Sequence, residues 1–312
     1  MLDRLLVEQI AGALATDEGL VEKDWHVIRA LSVLAAIDHN GVQPAFSGGT
    51  SLAKGWGLIK RFSEDIDFKV ATPTATSGSK ERENRRQYRE RVLTALAASD
   101  FELVGDAKIR DQSRFFSADF AYPSLFGAGH GLRPHIRIEM SFQVPVLPPV
   151  GRSLRSLIAQ AQNQPPEVLA FPCIDPIETT ADKLSALAWR TCTRQRGAPD
   201  DDPTMIRHLH DLAALEGHIK IDQRFVGLVK QAAMADTGRG GGTAPTTPRE
   251  RFAVMLDRLR TDALWSTEYD EFVRHVSFAR PNEQITFVEA LAATARLMEV
   301  VMSGLSECPH IS

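Results

Sequence analysis

Cysteine is scarce in this 312-residue chain: there are three, Cys173, Cys192 and Cys308, odd in number and in no CxxC or Cys/His ligand spacing. That pattern excludes a disulfide framework and a cysteine-ligated zinc site, and it predicts a reducing, cytoplasmic setting. Long apolar runs are missing as well. No stretch approaches the roughly 18 consecutive apolar residues that a membrane span requires. The N-terminal MLDRLLVEQIAGALATDEGL lacks a basic region followed by an apolar core, so neither export nor a membrane span is expected. Charge of one sign is also absent: 36 Lys and Arg face 40 Asp and Glu, for a net charge of −4. No whole-molecule positive field then draws the chain to nucleic acid, and any RNA contact must use a local patch.

What is present divides into two halves. An N-terminal helix is followed by VEKDWHVIRALSVLAAI, which repeats apolar residues at helical spacing through Trp25, Ile28, Leu31 and Leu34. QPAFS reads as a strand, Thr50 to Lys60 as a helix opened by two glycines, and DIDFKV as a second strand. ATPTATSGS reads as a loop, and KERENRRQYRERVLTALAAS as a charged helix that turns apolar. FELVGDAKI, RFFSADFAY and PHIRIEMSFQ extend the sheet, and the prolines of VPVLPPVGR are expected to close that half without regular structure. From Asp175 onward the pattern is helix after helix, interrupted by DTGRGGGTAPTTP, whose Gly, Thr and Pro predict a surface loop. The fold class expected is α+β, a mixed α/β core with an α-helical C-terminal half, and the domains are drawn at 1–150 and 151–312.

The stretch FSGGTSLAKGWGLIKRFSEDIDF (Phe46–Phe68) concentrates the chemistry. Residues two apart in a strand share a face, so Asp65 and Asp67 hold their carboxylates side by side while Ile66 and Phe68 turn to the core. Two like charges so close call for a cation. Hard oxygen ligands suit Mg²⁺ (or Mn²⁺), which takes one or two carboxylates and completes its shell with water and substrate phosphate. In PHIRIEMSFQ the apolar face is Ile136, Ile138, Met140 and Phe142, which leaves Glu139 as a third candidate ligand. The bland alternative is that these acids are the solvated face of a half-buried sheet. Gly48 and Gly49 permit a tight turn and close backbone approach to phosphate, with the hydroxyls of Ser47, Thr50 and Ser51 beside them. Together the two elements can hold a nucleoside triphosphate and its metal.

GGTSLAKGWGLIKRFSEDIDF, with VEKDW upstream, resembles the signature of the DNA polymerase β-like nucleotidyltransferases in the version found in the AbiEii/AbiGii (MenT-type) toxin family. The resemblance implies a nucleotidyltransferase mixed-sheet core joined to a helical part that completes the active-site groove. It implies further that Gly48, Gly49, Thr50 and Ser51 bind the nucleotide and that Asp65 and Asp67 are catalytic. In DKLSALAWR, Lys183 matches the family's motif lysine and would reach the nucleotide phosphates. In RHLHDLAAL, Asp211 matches the last motif's carboxylate and is a candidate general base. Where relatives often carry a lysine, this chain has His210, so no role is assigned to that position. His208 and His210 are expected to pack rather than ligate. An i,i+4 pair of Asp211 with Arg207 is the structural alternative.

Family members act as toxins of type IV toxin-antitoxin systems or in phage defence, paired with a winged-helix AbiEi-type antitoxin, and some transfer nucleotides to the 3′ end of tRNA. A tRNA partner needs basic residues: Arg190, Arg194 and Arg196 are the candidates near the expected site. Arg82, Arg85, Arg86 and Arg89 are interrupted by Glu81, Glu83 and Glu90 and read equally well as a solvated mixed-charge helix. Two other readings use the same residues. A nucleotide-binding toxin or regulatory module would bind RNA or protein without transfer, and a metal-dependent nuclease would leave the GGT element without a task.

Overall fold

The computed structural model describes residues 2–75, 77–127, 132–199, 201–237, 245 and 247–306. The chain divides into two compact units, Met1–Asp175 and Pro176–Ser312.

The first unit begins with α1 (Arg4–Leu14) and α2 (Glu18–Ala36), then β1 (Gln43–Ser47), α3 (Gly48–Lys54), β2 (Asp65–Ala71) and α4 (Gly78–Ala97). It continues through β3 (Glu102–Arg110), β4 (Phe115–Ala121), β5 (Ile136–Ser141), β6 (Val150–Leu154), α5 (Leu157–Ala161) and β7 (Val168–Cys173). The strands form one mixed sheet of seven, in the order β3-β4-β5-β2-β1-β7-β6. β2 is central: it runs antiparallel to β1 and parallel to β5, with Ser47 opposite Asp67 and Asp67 opposite Glu139.

Alternation explains which face is dry. Ile66, Phe68 and Val70 of β2 join Phe46, Phe116, Ile138 and Met140 in a core that α2 supplies with Val27, Leu31 and Leu34, and α4 with Tyr88, Val92 and Leu96. The opposite face carries Asp65, Asp67 and Lys69.

β6 begins inside VPVLPPVGR, where the prolines had suggested irregular chain, and β7 follows it. β7 places Val168, Phe171 and Cys173 in the same core, and Cys173 pairs in parallel with Phe46 of β1. Residues 151–175 therefore belong to the sheet unit, and the division falls after Asp175 rather than at 150. Pro172 is accommodated because β7 meets β1 at that single register pair.

The second unit is helical: α6 (Pro176–Thr193), α7 (Arg207–Glu216), α8 (Gln223–Thr237), α9 (Pro248–Thr261), α10 (Leu264–Val276) and α11 (Phe287–Ser306). α6 packs on α7, α8 and α9, and α11 on α7 and α8. Leu184, Leu187, Leu209, Leu212, Phe225, Val229 and Leu297 are buried there. Of the loop expected between α8 and α9, residues 238–244 and 246 lie outside the described residues, as does Cys308. Among the described residues no helix is long and apolar enough to cross a membrane.

Candidate functional site

The two glycines are set by what stands against them. Gly48 has φ +73°, and a Cβ there would lie 2.1 Å from Oδ2 of Asp67. At Gly49 a Cβ would meet Arg61 Nη2 at 2.7 Å and Ser63 Oγ at 2.9 Å. The first glycine thus lets the backbone of α3 press onto the Asp67 carboxylate, and the second makes room for a buried arginine and a serine. Ser47, at the N-cap of α3, makes no side-chain capping bond. Thr50 and Ser51 are both buried. The Thr50 hydroxyl turns inward, where it donates to the Asp65 carbonyl and lies 3.0 Å from Ser63 Oγ. Its side chain therefore positions β2.

On β2, Asp65 and Asp67 share the polar face as expected. Register places Ser47, Asp67, Glu139 and Ser117 in one row across four strands. Ser117 Oγ donates to Glu139 Oε1 at 3.3 Å. Asp65 is drawn the other way, into an ion pair with Arg133, whose Nη2 donates to Oδ1 at 2.6 Å. Arg137, opposite Asp65, forms a two-pronged pair with Asp119 at 2.7 and 2.8 Å. Among the described residues no group of three or more His, Cys, Asp or Glu stands ready to hold a metal ion. The donor set nevertheless suits a hard cation. Asp65 and Asp67 project from one face of one strand, Glu139 is the neighbour in register, and two carboxylates with substrate phosphate are what Mg²⁺ ordinarily takes.

Behind Asp65 lies a layer that the sequence did not disclose. Glu64 accepts from Arg133 Nε at 2.8 Å and from the Arg133 backbone N–H at 3.2 Å, and it is ion-paired with Lys23. Lys23 Nζ also donates to the Arg133 carbonyl at 2.6 Å. Burial lowers the Lys23 pKa below its ordinary value, against the pull of Glu64. For Glu64, burial acts upward but is outweighed by Lys23 and Arg133, and the carboxyl is held below its usual range. Glu22 and Asp24 flank Lys23 and are buried too. Glu22 accepts from Ser124 Oγ at 2.7 Å and Leu125 N–H at 2.6 Å. Asp24 accepts from Leu157 N–H at 2.7 Å and pairs with Lys54. The VEKDW segment is therefore a three-way tie from α2: Glu22 to the loop at 124–126, Lys23 to Glu64 and Arg133, and Asp24 to the end of α3 and the start of α5. A run of three charges inside an apolar helix is the signal that could have found it.

In the helical unit, Lys183 of α6 and Asp211 of α7 meet: Nζ lies 2.7 Å from Oδ2, and both side chains are buried. Arg207 sits instead near Asp202, at 3.8 Å. His210 is buried and packs on Tyr269 and Phe272, with ring centroids 6.2 and 6.1 Å away. Burial, reinforced by Lys183, Arg190 and Arg207, holds the His208 pKa well below its ordinary value. The three arginines considered for RNA are engaged internally. Arg190 pairs with Asp202 at 2.7 Å, Arg194 with Asp201 and Glu268 at 2.6 Å each, and Arg196 with Glu268 and Asp262. Arg194 and Arg196 also stack over Trp265, 5.0 and 4.4 Å from its centroid. On α4, Arg85 pairs with Glu81, and Arg86 with Glu83 and Glu90, the pattern of a mixed-charge helix.

Comparison with known proteins adds three findings. The family described as nucleotidyl transferase AbiEii toxin, type IV toxin-antitoxin system, matches residues 29–293. The structure is similar to MenT4, a nucleotidyltransferase toxin from Mycobacterium tuberculosis H37Rv, at 19% identity and a TM-score of 0.56, covering 98% of this chain and 99% of that one. An H. pylori protein assigned as a nucleotidyltransferase aligns at 15% identity and a TM-score of 0.42, over 93% of this chain and 97% of that one. A search of curated protein sequences finds no significant match.

Proposed function

Because the chain belongs to the AbiEii nucleotidyltransferase toxin family of type IV toxin-antitoxin systems, we propose that it transfers a nucleoside monophosphate from a nucleoside triphosphate to the 3′ end of a tRNA, using a divalent cation held by Asp65 and Asp67. The observation that carries the metal assignment is the fit of Gly48 against Asp67: a residue without a side chain is placed where any Cβ would displace one carboxylate oxygen. A carboxylate that merely faced water would need no such clearance.

In the reaction the acceptor hydroxyl oxygen bonds to the α-phosphorus, the bond to the β-phosphate oxygen breaks, and pyrophosphate leaves. When bound, Mg²⁺ would screen the phosphate charge and favour attack at phosphorus. Asp65 and Asp67 are the ligands, and Glu139, hydrogen-bonded to Ser117, stands beside Asp67 as a third. Gly48 and Gly49 let the backbone approach the triphosphate. Thr50 serves by anchoring the Asp65 carbonyl. Lys183 and Asp211 keep the roles of the family's motif residues: the ammonium neutralises charge that develops on the phosphates, and the carboxylate takes the acceptor proton. Their mutual ion pair holds the two groups side by side. The outcome for the cell is a block in translation, as a phage-defence toxin under the control of an antitoxin, for which a winged-helix protein is the expected partner.

The test is incubation of the protein with total tRNA, Mg²⁺ and each α-³²P-labelled NTP in turn, with Asp67→Ala alongside. Label on tRNA with one NTP, absent in the variant, is the expected result. No label with any NTP would reject tRNA as acceptor, and label that persists in Asp67→Ala would reject the metal assignment.

A further inference from the structure

Resting on that reading of Asp65, we propose that Arg133 is a positioning residue for the metal site, and that Glu64 and the buried Lys23 exist to hold it in place. Arg133 comes from the loop before β5, 68 residues along the chain from Asp65, so nothing local orients it. Instead both of its backbone polar groups and its side chain are claimed by two residues. Glu64 accepts from its N–H and its Nε, and Lys23 donates to its carbonyl. With the guanidinium pinned from behind, its remaining fork reaches Asp65 Oδ1 at 2.6 Å and leaves the other carboxylate oxygen for a ligand. A single charge-assisted bond from a guanidinium held this firmly sets the rotamer of the carboxylate.

A purely stabilising ion pair would not look like this. The Arg133 and Asp65 side chains are partly exposed, at 31% and 24%, where a pair contributes little to stability. Lys23, by contrast, is wholly buried, a position that costs free energy unless every donor is used. The burial sits two steps behind Asp65, at the base of the arrangement, as expected if orientation is what matters. Crowding adds a second reason. Asp65 and Asp67 lie on one face of β2, and Arg133 turns the Asp65 carboxylate to one side, away from its neighbour on the strand. Residues that orient metal ligands typically change metal affinity 10- to 100-fold when removed.

The measurement is Mn²⁺ binding to the full chain without nucleotide, followed by the electron paramagnetic resonance of free Mn²⁺, for wild type, Arg133→Gln, Arg133→Lys, Glu64→Gln and Asp67→Ala. Arg133→Gln is expected to weaken Mn²⁺ binding at least about tenfold. Glu64→Gln should do so to a smaller extent, and Arg133→Lys should recover part of the loss. Should Arg133→Gln fail to fold, judged by circular dichroism, the Lys and Glu64 variants decide on the same scale. Binding lost in Asp67→Ala but unchanged or tighter in the Arg133 and Glu64 variants overturns the positioning role alone. Binding that survives Asp67→Ala overturns the metal reading and the positioning role with it.

Discussion

Gly48 is where a single added atom tests the proposed site. Adding a methyl in Gly48→Ala places Cβ within 2.1 Å of Asp67 Oδ2 and forces an L-residue to φ +73°. The backbone strain alone is of order 1–3 kcal/mol. The variant should lose at least about 100-fold in transfer, from the roughly 10²-fold cost of a small misplacement at the reacting centre, and should melt several degrees lower. Gly57→Ala separates the two effects: its φ is +66°, but nothing lies within 4 Å of the added carbon, so it should lower the melting temperature and leave transfer intact. A double-mutant cycle sharpens the point. In an Asp67→Ala background the two closest clashing atoms are gone and only the Cβ at 3.1 Å remains, so Gly48→Ala should cost much less than in wild type, mostly its backbone strain. Equal costs in both backgrounds would show that the contact with Asp67 is not what demands glycine. Asp67→Ala by itself should remain folded, because Ile66 and Phe68 on the dry face of β2 are untouched; thermal denaturation in metal-free buffer checks this.

At the scale of elements, α2 shows both how far the sequence can be read and where reading fails. Its apolar period, and the alternation of β1, β2, β4 and β5, placed the dry face of the sheet and put Asp65, Asp67 and Glu139 on the other. These are local patterns with periods of 3.6 and 2, visible without knowing any partner. The ties of Glu22, Lys23 and Asp24 were hidden because their partners stand 30 to 133 residues away. β7 was hidden for a similar reason: PPEVLAFPC is a poor strand by composition and is held by Phe46, far upstream. Glu22 makes a stability prediction. Glu22→Ala strips partners from the part-buried Leu125 and Phe126 N–H groups and should cost roughly 1–3 kcal/mol, since water can reach part of what is left unpaired. Chemical denaturation measures it. Glu64 makes a pH prediction. Its folded pKa lies below the ordinary 4.5, so the stabilisation is complete above about that pH and is lost as pH falls through the lower folded value. Wild type should therefore lose its advantage over Glu64→Gln on acidification below about pH 4.5, a convergence readable from urea midpoints at pH 6, 4 and 3. A constant gap across that range would mean that Glu64 is not held ionised by Lys23 and Arg133.

For the molecule as a whole, the division after Asp175 changes what a fragment must contain in order to fold. Composition drew a boundary at 150, where prolines cluster. The sheet, however, continues through β6 and β7, and Leu154, Val168, Phe171 and Cys173 share one core with Phe46 and Phe68. Phe171 packs edge-on against Phe46 and tilted against Phe68, with centroids 6.3 and 5.8 Å away. A fragment of residues 1–175 keeps all seven strands and should fold alone, with a cooperative thermal transition and mixed α/β circular dichroism. It should also retain the Mn²⁺ binding of the Asp65–Asp67 face, because every residue of the Lys23–Glu64–Arg133 support lies within it. Transfer should be absent, since Lys183 and Asp211 are in the other half. A fragment of residues 1–150 removes β6 and β7, uncovers Phe46, and leaves β1 as an unprotected edge, the arrangement from which sheets aggregate. It should be insoluble or lack a cooperative transition. If 1–150 instead melts as sharply as 1–175, the β6–β7 pair is an attachment to the sheet rather than part of its core, and the tie of Phe171 to Phe46 contributes little to holding the site together.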